Sequence, residues 1–406
     1  MAELFSTNTA SMLAVFVLIL SICYHFPMKF IRKQLKNIES HIKAGRILVI
    51  YGPRQSGKTT MLREFFDNYK DKKIWLQGDD RTVVAELASR TIGRVAPIIG
   101  GAKLVIIDEA QYIPDTGRCL KFLADTFKDK IFVVTGSSAF GLLHSTKEPL
   151  TGRADYLNLY PLDMGEIDVT HGRVYSLSYM VNVLVYGSYP AVCNEETLNK
   201  KETLIRSIAE AYLYKDILEF DGIRNHDGIR NILKLLALQI GHDVSINEIA
   251  TKVKLARTTV ENYIQVLEKS FIIASSQSVG TFNERNEITK NRRYYFVDLG
   301  IRNAIISNFA SVDVRGDIGE LWESFVFIER LKKHRHNNEH IDMCFWRTYE
   351  GKEIDIIEKK NDYTLGIECK WSEGSVKDSL VYAFKKRFNG VELKVVNKDN
   401  WTEVIL

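Results

Sequence analysis

Eight residues constrain this chain more than any others: Gly52-Pro53-Arg54-Gln55-Ser56-Gly57-Lys58-Thr59 satisfies G-x-x-x-x-G-K-[ST] at every fixed position. The run follows the apolar stretch RILVIY and opens a helix at Lys58, so it reads as a strand, a tight loop and a helix N-terminus. Its glycines let the backbone curl so that its N–H groups face an anion, with the helix N-terminus behind them. Lys58 is placed to neutralise β- and γ-phosphates, Thr59 to offer a hydroxyl to Mg²⁺, and Thr60 to close the cradle. The expected cofactors are therefore ATP and Mg²⁺. Further on, KLVIIDEAQ ends a buried strand on Asp108, a second oxygen for the ion, and Glu109, which can orient or deprotonate an attacking water.

Two weaker positions follow. The strand IFVVT runs into Thr135-Gly136-Ser137-Ser138, where a hydroxyl of Ser137 or Ser138 is a candidate γ-phosphate sensor and a serine-rich turn is the alternative. Arg153, in LTGRA, is a candidate arginine finger acting in its own subunit or on a neighbour in a homo-oligomer, with a plain surface arginine as the alternative.

From Arg46 to Ile167 apolar runs of four to six residues alternate with helical stretches, which predicts a parallel sheet covered on both faces. At 406 residues the chain exceeds one ordinary domain, and 45% apolar with 26% charged residues is a folded composition. The net charge of +4, from 55 basic against 51 acidic side chains, does not announce a polyanion partner. Five cysteines without a C-x-x-C pair fit neither a disulfide framework nor a zinc site, and point to a reducing cytoplasm.

The expected organisation is an apolar N-terminal segment over 1–27, an ATP-binding domain over 28–167 and a helical subdomain over 168–228. A winged helix over 229–300 and an α+β domain over 301–406 complete it. The winged helix rests on two capping boxes, Ser245 with Glu248 and Thr258 with Glu261, followed by the strand-like SFIIASSQS and RRYYFVD. Arg257, Thr258 and Thr259 at the start of its second helix are candidate DNA contacts, helped by Lys252, Lys254 and Lys269 nearby. A packing module with Val260, Ile264, Leu267 and Phe271 as its core face is the alternative.

GPRQSGKTT, LVIIDEAQ, TGSSA and LTGRADYLNLYPLDMGEI together resemble the prokaryotic AAA-type ATPases whose C-terminal half is a domain of unknown function. The resemblance continues through YLYKDI, YYFVDLGIRNAI, GELWESFV and WRTYEGKEIDIIE, and so covers nearly everything after Met28. It implies an α/β P-loop NTPase of AAA type followed by a winged helix and a restriction-endonuclease-like domain. The last of these resembles the PD-(D/E)xK nuclease core. In such cores Asp355 and Glu368 would hold Mg²⁺, Lys370 would polarise water or stabilise phosphate charge, and Glu323 would support them from the preceding helix. Period-two alternation puts residues 368 and 370 on one strand face. The charge of the C-terminal third is balanced and adds nothing for DNA. The expected function is Mg²⁺-dependent ATP hydrolysis acting on DNA through this half. The alternative is an ATP-dependent switch whose C-terminal domain binds a partner without cutting it.

The N-terminal run MLAVFVLILSICYHF, Met12 to Phe26, departs from the family pattern. It is short for a membrane span, which takes about 20 apolar residues. Two readings stand: an anchor, with Lys29, Arg32, Lys33 and Lys36 keeping the ATPase in the cytoplasm, or an extension ahead of a true start at Met28.

Overall fold

A computed structural model describes residues 29–136, 150–211, 225–279, 292–348, 350–360, 363–388 and 391–406. The apolar run at 12–26 and the pair Ser137-Ser138 lie outside the described residues.

After α1 (Gln34–His41), five strands form one all-parallel sheet in the order β2-β3-β4-β1-β5. They are β1 (Ile47–Tyr51), β2 (Lys73–Gln77), β3 (Leu104–Asp108), β4 (Ile131–Gly136) and β5 (Ala154–Asn158). Their helices are α2 (Lys58–Asn68), α3 (Arg81–Ala88), α4 (Ile92–Ile99) and α5 (Thr116–Thr126). Because successive strand side chains point to opposite faces, the unbroken apolar runs feed two cores. Ile47, Val49, Val105, Ile107 and Phe132 pack against Leu87, Val95, Leu120 and Leu123 of α3 to α5. Leu48, Ile50, Ile106 and Val133 pack against Ile38, Met61, Leu62 and Phe65 of α1 and α2. Among the described residues no helix is long and apolar enough to cross a membrane.

Four helices follow: α6 (Met164–His171), α7 (Arg173–Tyr186), α8 (Pro190–Cys193) and α9 (Leu198–Ala211). Asp163 and Glu166 form a reciprocal capping box at α6. Then come α10 (His226–Leu238), α11 (Ile246–Val253) and α12 (Arg257–Lys269), followed by the antiparallel pair β6 (Ile273–Val279) and β7 (Arg292–Phe296). Ser245 caps α11 as expected, its hydroxyl accepting from the Glu248 N–H. Thr258 does not cap α12. That helix starts at Arg257 with Ala256 as its cap residue and no side-chain bond, so Thr258 already lies in the first turn.

The strands expected to be a free wing have another role. β6 pairs in parallel with β8 (Asp342–Arg347), and one six-stranded sheet runs β11-β10-β9-β8-β6-β7 across the expected boundary at 300/301. Its remaining strands are β9 (Glu353–Lys360), β10 (Tyr363–Cys369) and β11 (Glu392–Val396). The helices α13 (Leu299–Ile306), α14 (Ile318–His336), α15 (Asp378–Arg387) and α16 (Thr402–Ile405) complete this half. A single apolar cluster connects Leu162 and Leu184 through Leu233 and Leu267 to Trp322 and Trp401, so everything after β5 shares one core. Gly300 lets α13 meet the end of α7, since a Cβ there would stand 2.1 Å from the Tyr186 carbonyl oxygen.

The 19-residue α14 is the axle of this half, about 28 Å long at helical rise. It is buried around most of its circumference, with Leu321, Trp322, Phe325, Val326 and Phe327 all enclosed. Its buried charges are paired: Lys332 Nζ lies 2.9 Å from Glu329, and Arg330 forks onto Glu358 of β9.

Candidate functional site

The loop between β1 and α2 has the conformation its sequence requires. Gly52 passes under Leu159, where a Cβ would come within 2.0 Å of a carbonyl oxygen, so no larger residue fits. Gln55 and Gly57 both adopt left-handed backbone, φ 59° and 95°, on either side of Ser56, and such alternation turns successive N–H groups toward one concavity. The Pro53 backbone is buried and Arg54 reaches toward Tyr112. The Ser56 hydroxyl is buried with no hydrogen-bond partner, an orphaned polar atom inside the cradle. Lys58, buried at the first position of α2, donates from Nζ to the Gly52 and Pro53 carbonyls at 2.9 and 2.8 Å. Its ammonium therefore stays at the loop. Thr60 is exposed in the same turn.

Thr59 meets the acidic strand end directly. Its hydroxyl lies 3.1 Å from Asp108 Oδ2, and Asp108 is buried at the tip of β3. The Thr135 hydroxyl, at the tip of the intervening β4, bonds to the other Asp108 oxygen and accepts from the Glu109 N–H at 2.9 Å. Glu109 itself has left-handed backbone, φ 55°, with Gln111 donating to its carboxylate. Thr135 was visible in the sequence only as part of a hydroxyl-rich turn. The pairing of β3 with β4 is what puts its oxygen on Asp108. The donor set of Thr59, Asp108 and an orphaned serine hydroxyl beside a lysine suits a hard cation with phosphate.

Arg153 is not part of this group. It immediately precedes β5, at the end of the parallel strands remote from the loop, and pairs with Asp125 at 2.7 Å. One strand length, about 16 Å, separates it from the cradle of its own chain.

The C-terminal carboxylates gather from three elements. Asp355 on β9 faces the end of β10, where its Oδ2 accepts the Cys369 N–H at 2.7 Å, and Glu368 is the neighbouring residue. Glu368 Oε1 accepts from Lys370 Nζ at 2.7 Å, which confirms that 368 and 370 share a face, while Glu368 Oε2 is buried without a partner. Glu323 on α14 accepts from the Tyr295 hydroxyl at 2.7 Å and from Arg293 at 3.3 Å. A cavity of about 410 Å³ opens over Glu323, Asp355 and Lys370, with His242 and Arg347 on its lining.

Burial dominates the electrostatics here. It pushes the Glu323 carboxyl up to about 7 against the pull of Arg293 and Tyr295. It also raises Asp355 well above the usual carboxylate range, with Glu323 and Glu368 adding repulsion. The Glu368 carboxyl is raised as well, again by burial, with Lys370 opposing. Such a cluster releases protons most readily to a cation. Arg293 and Tyr295 of β7 were missed by sequence reading, because their strand was assigned to the wing. Arg293, only 2% exposed, touches Asp243, Glu323 and Glu353 together.

The candidate DNA-contact residues lie on the surface, Arg257 and Thr258 exposed and Thr259 half-buried. Arg257 is committed to Glu261 at 2.8 Å and Lys252 to Glu248.

Residues 44–168 match a family model described as an AAA domain, residues 178–312 a domain of unknown function (DUF8612), and residues 318–400 another (DUF4143). Among curated proteins the chain is 23% identical to an uncharacterized protein of Methanocaldococcus jannaschii, over 89% of this chain and 83% of that one. It is 25% identical to an uncharacterized protein of Haemophilus influenzae, over 79% and 82%. A third relative, from Mycobacterium tuberculosis, is 24% identical over 80% and 70%. Among solved structures, a Walker-type ATPase of Pyrococcus abyssi aligns with a TM-score of 0.44 at 18% identity, covering 68% of this chain and 94% of that one. The N-terminal half of this chain is thus an AAA-type P-loop domain, carried on a parallel α/β sheet.

Proposed function

We propose that the chain binds ATP with Mg²⁺ at Gly52 to Thr60 and hydrolyses it. The observation that carries this reading is the contact between the Thr59 hydroxyl and Asp108, because it joins the phosphate loop to the acidic strand end in one oxygen-rich site. Thr59 and Asp108 would hold the ion, which when bound draws charge from the β- and γ-phosphate oxygens. Lys58 neutralises the same phosphates from its seat in the loop. Glu109 orients and deprotonates water, with Gln111 and Thr135 fixing its side chain and backbone. Ser137 stays a candidate γ-phosphate sensor. Arg153 can serve as a finger only on a neighbouring subunit. The test is ATP turnover by wild type and Glu109→Gln, with and without DNA. Equal turnover by the two proteins would refute the assignment of Glu109, and stimulation by DNA would name the partner class.

The C-terminal reading is favoured by a separate observation, the unpartnered Glu368 oxygen beside Asp355 and Lys370 at a cavity. Asp355 and Glu368 would hold a divalent cation that activates water toward a phosphodiester, Lys370 would stabilise the developing charge, and Glu323 would support them. The helix start at Arg257, Thr258 and Thr259 would contact the DNA. Mg²⁺-dependent cleavage lost in Lys370→Ala and kept in Lys58→Ala is the expected result. Absence of cleavage on every DNA and RNA substrate, with ATP turnover intact, would favour the alternative of an ATP-driven switch that binds a partner.

A further inference from the structure

We propose that Arg32, in the segment before α1, holds the Ser56–Gly57 peptide of the phosphate loop in its anion-binding orientation. We propose also that the acidic chain behind it ties nucleotide affinity to α14. The inference rests on the ATP-site reading given above. Arg32 lies outside the phosphate-loop motif and outside the stretch that matches the AAA domain.

Arg32 is 6% exposed, and all three of its guanidinium nitrogens are used. Nη1 donates to the Ser56 carbonyl, Nη2 to the Tyr160 carbonyl at 2.8 Å, and Nε to Glu166 at 3.0 Å. The peptide after Ser56 is trans, so its carbonyl and the Gly57 N–H point in opposite directions. A carbonyl drawn outward to Arg32 turns the Gly57 N–H inward. That is one of the donors by which such a loop grips phosphate. Gly57 fits the arrangement twice: its φ of 95° suits glycine, and a Cβ there would stand 3.2 Å from Arg32 Nη1.

The guanidinium is in turn set by Glu166, fully buried, whose other oxygen accepts the Asp163 N–H at 3.2 Å. Asp163 accepts the Glu166 N–H at 2.6 Å, pairs with Lys33 at 3.0 Å, and lies 2.6 Å from Nδ1 of His336 in the last turn of α14. Asn37 fastens the same turn through the His336 carbonyl at 2.7 Å. One turn and more earlier on α14, Glu329 accepts the Met164 N–H at 2.6 Å. Asp163, Glu166 and His336 stand close enough together to suggest a metal site. The carboxylates are already filled by Arg32, Lys33 and backbone N–H groups, so the cluster is an ion-pair relay. A shift of α14 along its axis moves His336, Asp163 and Glu166 as a unit, and with them the guanidinium that sets the loop.

The test uses the full chain and compares Arg32→Gln, Arg32→Lys, His336→Gln and Lys58→Ala by ADP and ATP binding and by steady-state turnover. Lys58→Ala should abolish binding. If it binds ATP as wild type does, the nucleotide-site reading itself fails, whatever Arg32 does. With that control in place, Arg32→Gln should weaken ADP and ATP alike by about ten-fold, about 1.4 kcal/mol, and raise KM with kcat kept. His336→Gln should shift affinity the same way by about two- to five-fold. Unchanged KM with reduced kcat in Arg32→Gln, the pattern of fewer folded molecules, overturns the positioning role. Unchanged affinity in His336→Gln overturns the link to α14. Should Arg32→Gln not fold, Arg32→Lys carries the same comparison, since one amine cannot serve three acceptors at once.

Discussion

The nucleotide loop and the C-terminal cavity are built by opposite means. The loop binds with backbone, eight consecutive residues shaped by left-handed turns at Gln55 and Gly57, and needs few side chains to be correct. The cavity binds with side chains alone, taken from α14, β7, β9 and the end of β10, and it keeps three carboxylates out of water. A loop of backbone donors carries no buried charge of its own and so costs little to the fold. A cluster of buried carboxylates strains the fold until a cation or a proton relieves it.

The largest effect that would break this comparison is catalytic. Glu109→Gln should lower kcat by about 10²- to 10⁴-fold while leaving KM near wild type, because it removes a proton acceptor and no phosphate contact. A rise in KM of similar size would mean that the acidic strand end binds nucleotide and does not activate water.

Next comes stability on the C-terminal side. Arg330→Met strands Glu358, fully buried on β9, and should cost about 3–5 kcal/mol in chemical denaturation. A loss under 1 kcal/mol would show that this half tolerates unpaired buried charge after all.

A smaller effect depends on pH. Glu323 titrates at about 7 when folded, above its ordinary value of 4.5, so the native state binds the proton more tightly than the unfolded chain does. Its contribution is fully present below pH 4.5 and is lost as pH rises through about 7. Glu323→Gln should therefore flatten the fall in stability over that window by roughly 1–3 kcal/mol, measured as unfolding free energy against pH. A fall equally steep in the variant would assign it to other groups.

The smallest expected effect belongs to Arg153. Arg153→Ala should leave turnover per subunit unchanged in dilute protein and lower it only at concentrations where subunits associate, since the residue sits a strand length from its own cradle. Reduced turnover independent of concentration would overturn that geometry.

Legibility followed sequence distance. The roles of Gly52, Lys58 and Thr59 are local and were readable residue by residue, and Asp108 was readable because a buried strand ending on an acid is a local pattern. Thr135 needed the strand order, which alone puts β4 between the two motifs. Asp355, Glu368 and Lys370 were named from one strand's alternation and its neighbour, and the structure brings them together. Arg293 and Tyr295 were not, because nothing in RRYYF tells that its strand leaves the helices and joins a sheet with β8 through β6. Thr258 shows the converse: its spacing to Glu261 imitates a capping box, but the helix had already begun at Arg257.

By itself, then, the sequence determined a parallel sheet, a phosphate loop and an acidic strand end, since each depends on φ/ψ preferences and burial periodicity within a few residues. Tertiary structure alone decided that Arg32, flanking an apolar N-terminus and readable as a topogenic charge, is buried against the Ser56 carbonyl. It alone decided that the helices after β5 and the C-terminal sheet share one core with α14 as their axle. The physical reason is the same in both cases. A charge or an edge strand must find a partner to be buried, and which partner it finds is fixed by packing between segments more than a hundred residues apart.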